Sequence, residues 1–356
     1  MFNEIYKNKR VLVTGHTGFK GSWLTLWLKN LGAEVFGLSD VVAPKPSHYE
    51  LLNHDMEECL GVDIYNFEEL NNYIAKIKPD IVFHLAAQAL VKDSYRDPLK
   101  TYQTNVMGSL NVLHSATTNN VKAFVNITTD KVYENREWLY PYRERDQLGG
   151  HDMYSSSKAC SEIMSASYRK SFLKDKNHML LASVRAGNVI GGGDWAKYRL
   201  IPDLVRNASQ NKVTEIRSPK AIRPWQHVLE PLSGYLVVGQ KLLEKNISIA
   251  SSFNFGPYKE LIINVEELIE NCQQNWSDIK VELNPNDEFH EANILKLDWN
   301  KANVVLGWKP VWDRDKTLAM TINWYKSFYI DNKINTSSDL NEFVEDAKTK
   351  NLNWAV

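Results

Sequence analysis

A short apolar run ending in three glycines constrains this chain more than any other feature. Arg10-Val-Leu-Val-Thr-Gly15 reads as a buried strand, and Gly15-His16-Thr17-Gly18-Phe19-Lys20-Gly21 follows without a break. Residues 22–31 then carry a helical pattern, Gly32 stops it, and Glu34-Val-Phe-Gly-Leu38 begins a second strand. This is a βαβ unit with glycines in its first turn. Glycine is needed where the backbone turns tightly and must approach a pyrophosphate. The helix start then offers N–H groups and a favourable dipole to the phosphates. The alternation continues. Residues 79–88, 123–127 and 179–184 read as strands, and 67–76, capped by Asn66, and 104–113 as helices. The pattern predicts an α/β fold: a doubly wound, Rossmann-type parallel sheet with helices on both faces, and ligands at the C-terminal ends of its strands.

Three further segments carry chemistry. Thr128-Thr129-Asp130-Lys131 places hydroxyls, a carboxyl and an amine directly after the strand 123–127. Tyr154 and Lys158 stand four residues apart, which on a helix puts phenol and amine on one face. A lysine one turn away stabilises a phenolate and lowers the tyrosine from its usual pKa of about 10. Arg217 and Arg223 supply planar cations that suit a diphosphate. The formal net charge of −1 gives no field drawing the whole chain to nucleic acid or membrane. No apolar run approaches the ~20 residues that span a bilayer, and no signal-peptide pattern opens the chain. Cys59, Cys160 and Cys272 lie far apart with no metal-ligand spacing, so no metal is expected, and the thiols read as reduced in a cytoplasmic protein.

The Gly-x-x-Gly-x-x-Gly turn with Tyr154-x-x-x-Lys158 resembles the extended short-chain dehydrogenase/reductase superfamily. An acid directly after Thr129 resembles its nucleotide-sugar 4,6-dehydratases, and Lys131 in place of glutamate resembles the CDP-glucose 4,6-dehydratases. Gly15–Leu24, Thr128–Asn135, Leu148–Asp152, Gly187–Trp195 and Arg223–Val228 carry that likeness, which runs from about residue 9 to the Gly307-Trp-Lys-Pro310 region. The resemblance implies that Gly15, His16, Thr17, Gly18, Phe19, Lys20, Gly21, Asp63, Ile64, Leu85, Ala86, Ala87, Gln88, Asn105, Thr128, Tyr154 and Lys158 hold the cofactor. Asn105 would support Lys158 through water. His84 reads as structural. Ser39 stands where a ribose-binding acid is expected and Asp40 follows it; no arginine nearby could pair with a 2′-phosphate, which favours NAD over NADP. Thr129, Asn188, Arg217 and Arg223 would meet the sugar nucleotide, CDP-glucose, and Gly191-Gly-Gly-Asp-Trp195 reads as a mobile turn or lid. The choice of cytosine rests on the resemblance alone.

The reaction so implied is an intramolecular oxidation, elimination and reduction, giving CDP-4-keto-6-deoxyglucose and water on the way to deoxysugars of bacterial surface polysaccharide. Tyr154 takes the 4-hydroxyl proton, Thr129 bonds the same oxygen, Lys131 removes the carbon-5 proton, and Asp130 protonates the departing 6-hydroxyl. Asp130 and Lys131 must both be neutral. Burial pushes each that way and a direct ion pair would push each the other way, so the carbon-5 base stays open. The rivals are a 4,6-dehydratase or 4-epimerase for another nucleotide sugar, and a non-catalytic NAD-binding protein. An epimerase has no use for Asp130 and Lys131. Residues 1–185 are expected to form the NAD-binding domain and 186–330 a smaller substrate-binding lobe with segments returning to the first. Residues 331–356 read as a polar tail with a short helix at 340–348. A homodimer or higher homo-oligomer is expected through the helices carrying residues 105–113 and 154–168.

Overall fold

The computed structural model describes residues 1–42, 44–173, 179–284 and 294–356. The polar linker read at 174–177 and the segment 288–292, read as part of the C-terminal lobe, lie outside these. Among the described residues, seven parallel strands form the main sheet. They are β1 (Arg10–Thr14), β2 (Glu34–Ser39), β3 (Glu57–Leu60), β4 (Ile81–His84), β5 (Ala123–Ile127), β6 (Leu180–Ala186) and β7 (Ser252–Phe255). Their order is β7-β6-β5-β4-β1-β2-β3. The direction of winding reverses between β1 and β4, which opens a crevice at their C-terminal ends. The sheet is covered on both sides because its side chains alternate between two cores. Val11, Val13, Phe83 and Val125 enter one with Trp23 and Trp27. Leu12, Val82, Phe124 and Leu181 enter the other with Leu70 and Ile74.

The helix expected over residues 104–113 is present and opens on a turn of a different kind. Gln103–Gly108 is a π-helical turn that leads into an α-helix over Ser109–Thr118. Such a bulge shifts the side-chain register locally, and here it turns Asn105 into the sheet edge at Gln88. His84 is structural, bonded to Thr14 and Ser109 in the core.

The second half builds smaller strand pairs beside the sheet. Val189–Ile190 pairs with Gln226–His227, Ile222–Pro224 with Ile262–Asn264, and Val213–Ile216 with Lys280–Leu283. The turn 191–195 is no lid. Trp23 donates to the Gly192 carbonyl at 2.9 Å. A Cβ on Gly192 would lie 2.0 Å from the Trp324 ring, and one on Gly193 2.4 Å from His48. These glycines serve close packing, not motion. The last residues are a helix, Thr336–Thr349, longer than the sequence pattern suggests. Phe343 and Trp354 close on Trp27 and Phe2, so the tail covers the helix Phe19–Asn30.

One buried carboxylate ties the chain's end to its middle. Glu230 accepts the backbone N–H of Val311 and of Trp312, each at 2.8 Å. Burial pushes its carboxyl up to about 8, against those two bonds. Glu230→Ala leaves two buried donors without this acceptor and is expected to lower the unfolding free energy by about 3 kcal/mol. Urea denaturation reads this; a change under about 1 kcal/mol would mean that water replaces the carboxylate there.

Candidate active site

The glycine turn is shaped by contact with its neighbours. Gly15 has φ +72°, and a Cβ there would meet the Ala86 nitrogen at 2.7 Å. A Cβ on Gly21 would lie 2.1 Å from the Gly15 carbonyl. A Cβ on Gly18 would meet only that carbonyl, at 3.3 Å, and Gly18 caps the helix Phe19–Asn30. The turn therefore presents bare backbone and a helix N-terminus to a cavity of about 410 Å³. Gly15 and residues 17–21 form one wall, Leu85, Ala86, Ala87 and Gln88 another, and Asp63 and Ile64 one end. Thr128, Tyr154 and Lys158 close the opposite end. A cavity of this volume, lined by a bare glycine turn as well as by Tyr154 and Lys158, fits a dinucleotide.

Two expected cofactor residues are turned elsewhere. His16 is buried off the cavity, bonded to Glu58 at 2.8 Å and Ser39 at 3.0 Å. Its ring fills the space over Gly37, where a Cβ would come within 2.5 Å. Asn105 uses its amide on both backbone groups of Gln88 and on the Ser157 hydroxyl, so it reaches the helix of Lys158 through Ser157.

Tyr154 and Lys158 sit on the helix Met153–Phe172, started by Asp152, whose side chain accepts the Ser155 N–H. Burial pushes the Tyr154 phenol up to about 12, drawn back by the neighbouring Thr129 hydroxyl and by Arg199. Lys158 is buried and bonds the Ile127 carbonyl at 3.4 Å. Burial lowers it to about 7, the Lys20 charge adds to that, and Glu162 opposes. Lys20 itself falls to about 8 through burial and Arg199.

Thr129 donates to Asp130 at 2.9 Å. Asp130 is buried and its carboxyl is raised by that burial, against Lys131, Thr129 and Arg223. Its Oδ2 would lie 3.1 Å from a Cβ on Gly187, so glycine there gives the carboxylate room. Lys131 is exposed. The expectation that both neighbours share one buried environment is therefore corrected: Asp130 is buried and Lys131 is exposed.

Asn188 and Arg223 are brought near this group, since Asn188 accepts from Gln226 and Gly187 packs on Pro224. Arg217 is exposed, one residue beyond the strand Val213–Ile216. None of the three lines the cavity.

Three residues of the site escape sequence reasoning. Arg199 lines the cavity, held by Asp194 at 2.7 Å. Lys100 lines the opposite end, paired with Asp63. Glu162 continues the face of Tyr154 and Lys158 by one more turn; the spacing i, i+4, i+8 was its available signal. It is paired with Arg185 at 2.8 Å and accepts from Thr128 at 2.6 Å. Burial raises its carboxyl, but Arg185 and Thr128 hold it below the ordinary range. Among the described residues no cluster of His, Cys, Asp and Glu is arranged to hold a metal, and no helix is long and apolar enough to cross a membrane.

Residues 11–250 match the family model described as the NAD dependent epimerase/dehydratase family. The chain is 50% identical over 333 residues to the CDP-glucose 4,6-dehydratase of Salmonella typhimurium, covering 91% of this chain and 92% of that one. It is 26% identical over 338 residues to the dTDP-glucose 4,6-dehydratase of Haemophilus influenzae, covering 88% and 97%. In fold it is similar to the dTDP-glucose 4,6-dehydratase of Streptomyces venezuelae, solved with NAD and TYD bound (TM-score 0.75, 22% identity, 89% and 97% covered). It is also similar to the UDP-glucose 4-epimerase of Thermotoga maritima (TM-score 0.78, 22% identity, 89% and 99% covered).

Proposed function

The chain belongs to the NAD dependent epimerase/dehydratase family, and we propose that it is a CDP-glucose 4,6-dehydratase. The observation that carries this reading is Asp130: a buried carboxyl, raised toward its neutral form and bonded to Thr129. A 4-epimerase needs no acid beside the hydroxyl that bonds the sugar's O4. The half-identical relative acts on CDP-glucose by its name, and that sets the substrate.

Bound NAD supplies the hydride acceptor for carbon 4 and the hydride donor for carbon 6. Gly15, Gly18 and Gly21 would hold its pyrophosphate, Asp63 and Ile64 its adenine end, and Leu85, Ala86 and Ala87 its ribose. Tyr154 takes the proton of the sugar's 4-hydroxyl, with Lys158 as the cation that favours the phenolate. Thr129 bonds the same oxygen. Asp130 gives its proton to the departing 6-hydroxyl, while Lys131 removes the proton from carbon 5 and later returns it. Lys131 is exposed and so keeps its usual hydration until a sugar covers it. Arg223 and Asn188 bind the nucleotide side, with Arg223 close enough to act on Asp130.

The protein incubated with CDP-glucose and, separately, with dTDP-, UDP- and GDP-glucose should lose one water from the cytidine compound alone, read by mass spectrometry. Loss from another sugar nucleotide would discard the substrate and keep the chemistry. Interconversion of glucose and galactose forms without loss of water would discard the dehydratase.

The same reading includes a homodimer in the cytoplasm. Leu99, Met107 and Ile163 are 76%, 45% and 56% exposed. They lie on Pro98–Tyr102, Gln103–Gly108 and Met153–Phe172, which pack side by side. An apolar face of this kind suits a second copy. Leu99→Asp with Ile163→Asp should halve the mass seen by sedimentation; an unchanged mass would place the interface elsewhere. Three free cysteines fit a reducing compartment.

A further inference from the structure

The proton count of this reaction does not close on the roles assigned above, and resting on that reading, we propose that Thr129 is a proton relay between Tyr154 and Asp130. In the oxidation, the O–H bond of the 4-hydroxyl breaks and its proton goes to the Tyr154 phenolate. In the elimination, the carbon-5 proton goes to Lys131 and the carbon-6 to oxygen bond breaks. The Asp130 proton then joins the leaving oxygen as water. In the reduction, Lys131 returns its proton to carbon 5, and the hydride taken from carbon 4 arrives at carbon 6. Every atom is then accounted for except one proton. Tyr154 holds one more than at the start and Asp130 one fewer. The next turnover cannot begin until that proton crosses.

One hydrogen bond lies along the crossing, from Thr129 to Asp130 at 2.9 Å. The Tyr154 phenol lies on the other side of the Thr129 hydroxyl, close enough for that hydroxyl to draw its pKa down. A hydroxyl can accept from one partner and donate to the other by rotating about its C–O bond. The step balances: the phenol O–H breaks as Thr129 accepts its proton, and the Thr129 O–H breaks as Asp130 accepts that one. Phenol and carboxylate become phenolate and carboxylic acid. Asp130 is 3% exposed and Tyr154 9%, so neither meets bulk water freely. Lys131 faces solvent, but it ends the cycle with the charge it began with. In the free chain burial holds the phenol up to about 12, so the shared proton rests on Tyr154. The positive ring of an oxidised nicotinamide bound at this end of the cavity would lower the phenol, and the proton would then move to Asp130, arming both groups at once.

The test uses Thr129→Val and Thr129→Ser in the whole protein with NAD and CDP-glucose. Quench-flow reads the first turnover and a continuous assay the steady state. Thr129→Val also loses the bond to O4, so its first turnover should slow, and its later turnovers should run about 100-fold slower than that first one. Small acids such as formate or imidazole should restore the later turnovers, because they can carry the proton. Thr129→Ser, which keeps the hydroxyl, should run its first and later turnovers at one rate. Equal slowing of first and later turnovers, without rescue by small acids, would overturn the relay and leave Thr129 as a binding group. A second readout needs no turnover. NAD is added without sugar while phenolate absorbance and proton release to an indicator dye are followed. The unmodified protein should form phenolate and release almost no proton, and Asp130→Asn should release about one per site. Equal release from both would also overturn the relay. No loss of water from CDP-glucose by the unmodified protein would instead remove the reading beneath it, and the relay with it.

Discussion

Asp130→Asn is expected to oxidise CDP-glucose at carbon 4 and then stall. The amide keeps the shape of the carboxyl and can still accept from Thr129, which the native side chain does at 2.9 Å, so the turn after β5 should hold. What it loses is the proton for the leaving hydroxyl. General-acid assistance is worth about 10²–10⁴ in rate, and water loss should fall by that factor. The reduced nicotinamide should therefore accumulate in Asp130→Asn, where unmodified protein shows it only in passing. Stopped-flow absorbance reads the accumulation and mass spectrometry the missing water. Water loss at an undiminished rate would mean that another group protonates O6. The same substitution removes a carboxyl that burial raises. Its stability should not fall at neutral pH, so lost activity would not be lost folding.

Much of this arrangement is legible in the sequence because it is local. The glycines of the first turn, the Asn66 cap and the Tyr154 to Lys158 spacing are each decided within a few residues of chain. Local rules specify them whatever the rest does. The places where the sequence pattern misleads are set by contacts far along the chain. Gly191, Gly192 and Gly193 look like a hinge, yet Trp23, His48, Trp324 and Tyr325 press on that turn from 130 to 170 positions away or from the last helices. His16 reads as a cofactor residue until Glu58 of β3 draws its ring to the far side of Gly37. Lys131 seems bound to share the burial of Asp130, but adjacent side chains in a 3-10 turn point apart, one inward and one to solvent. Arg199 and Lys100 carry no motif. Their place in the cavity follows from Asp194 and Asp63, partners that the fold supplies.

Lys158→Met should separate what the site needs from what the fold prefers. Lys158 is buried, and burial with the Lys20 charge lowers it to about 7, from 10.5 for a free lysine. Below pH 7 the folded chain must hold a buried ammonium, so the cost to stability is fully present there. Between about 7 and 10.5 the unfolded chain binds more protons than the folded one, and stability rises with pH. Above 10.5 the cost is gone. Methionine has a similar stem and no charge. Lys158→Met is therefore expected to melt at least about 3 °C higher than unmodified protein at pH 6, with the gain fading as pH approaches 10. Its oxidation rate should move the other way. Without the ammonium one turn along, the Tyr154 phenolate keeps only the help of Arg199, and the hydride step should fall by about 10³-fold. The alkaline limb of its pH profile should shift upward, toward an unassisted phenol. Calorimetry across pH reads the first effect and single-turnover absorbance of reduced nicotinamide the second. Loss of stability together with activity would mean that Lys158 is held charged by Glu162 in the free chain and is part of the fold. A more stable, slower protein would mean that the chain keeps a costly cation for the sake of the phenolate beside it.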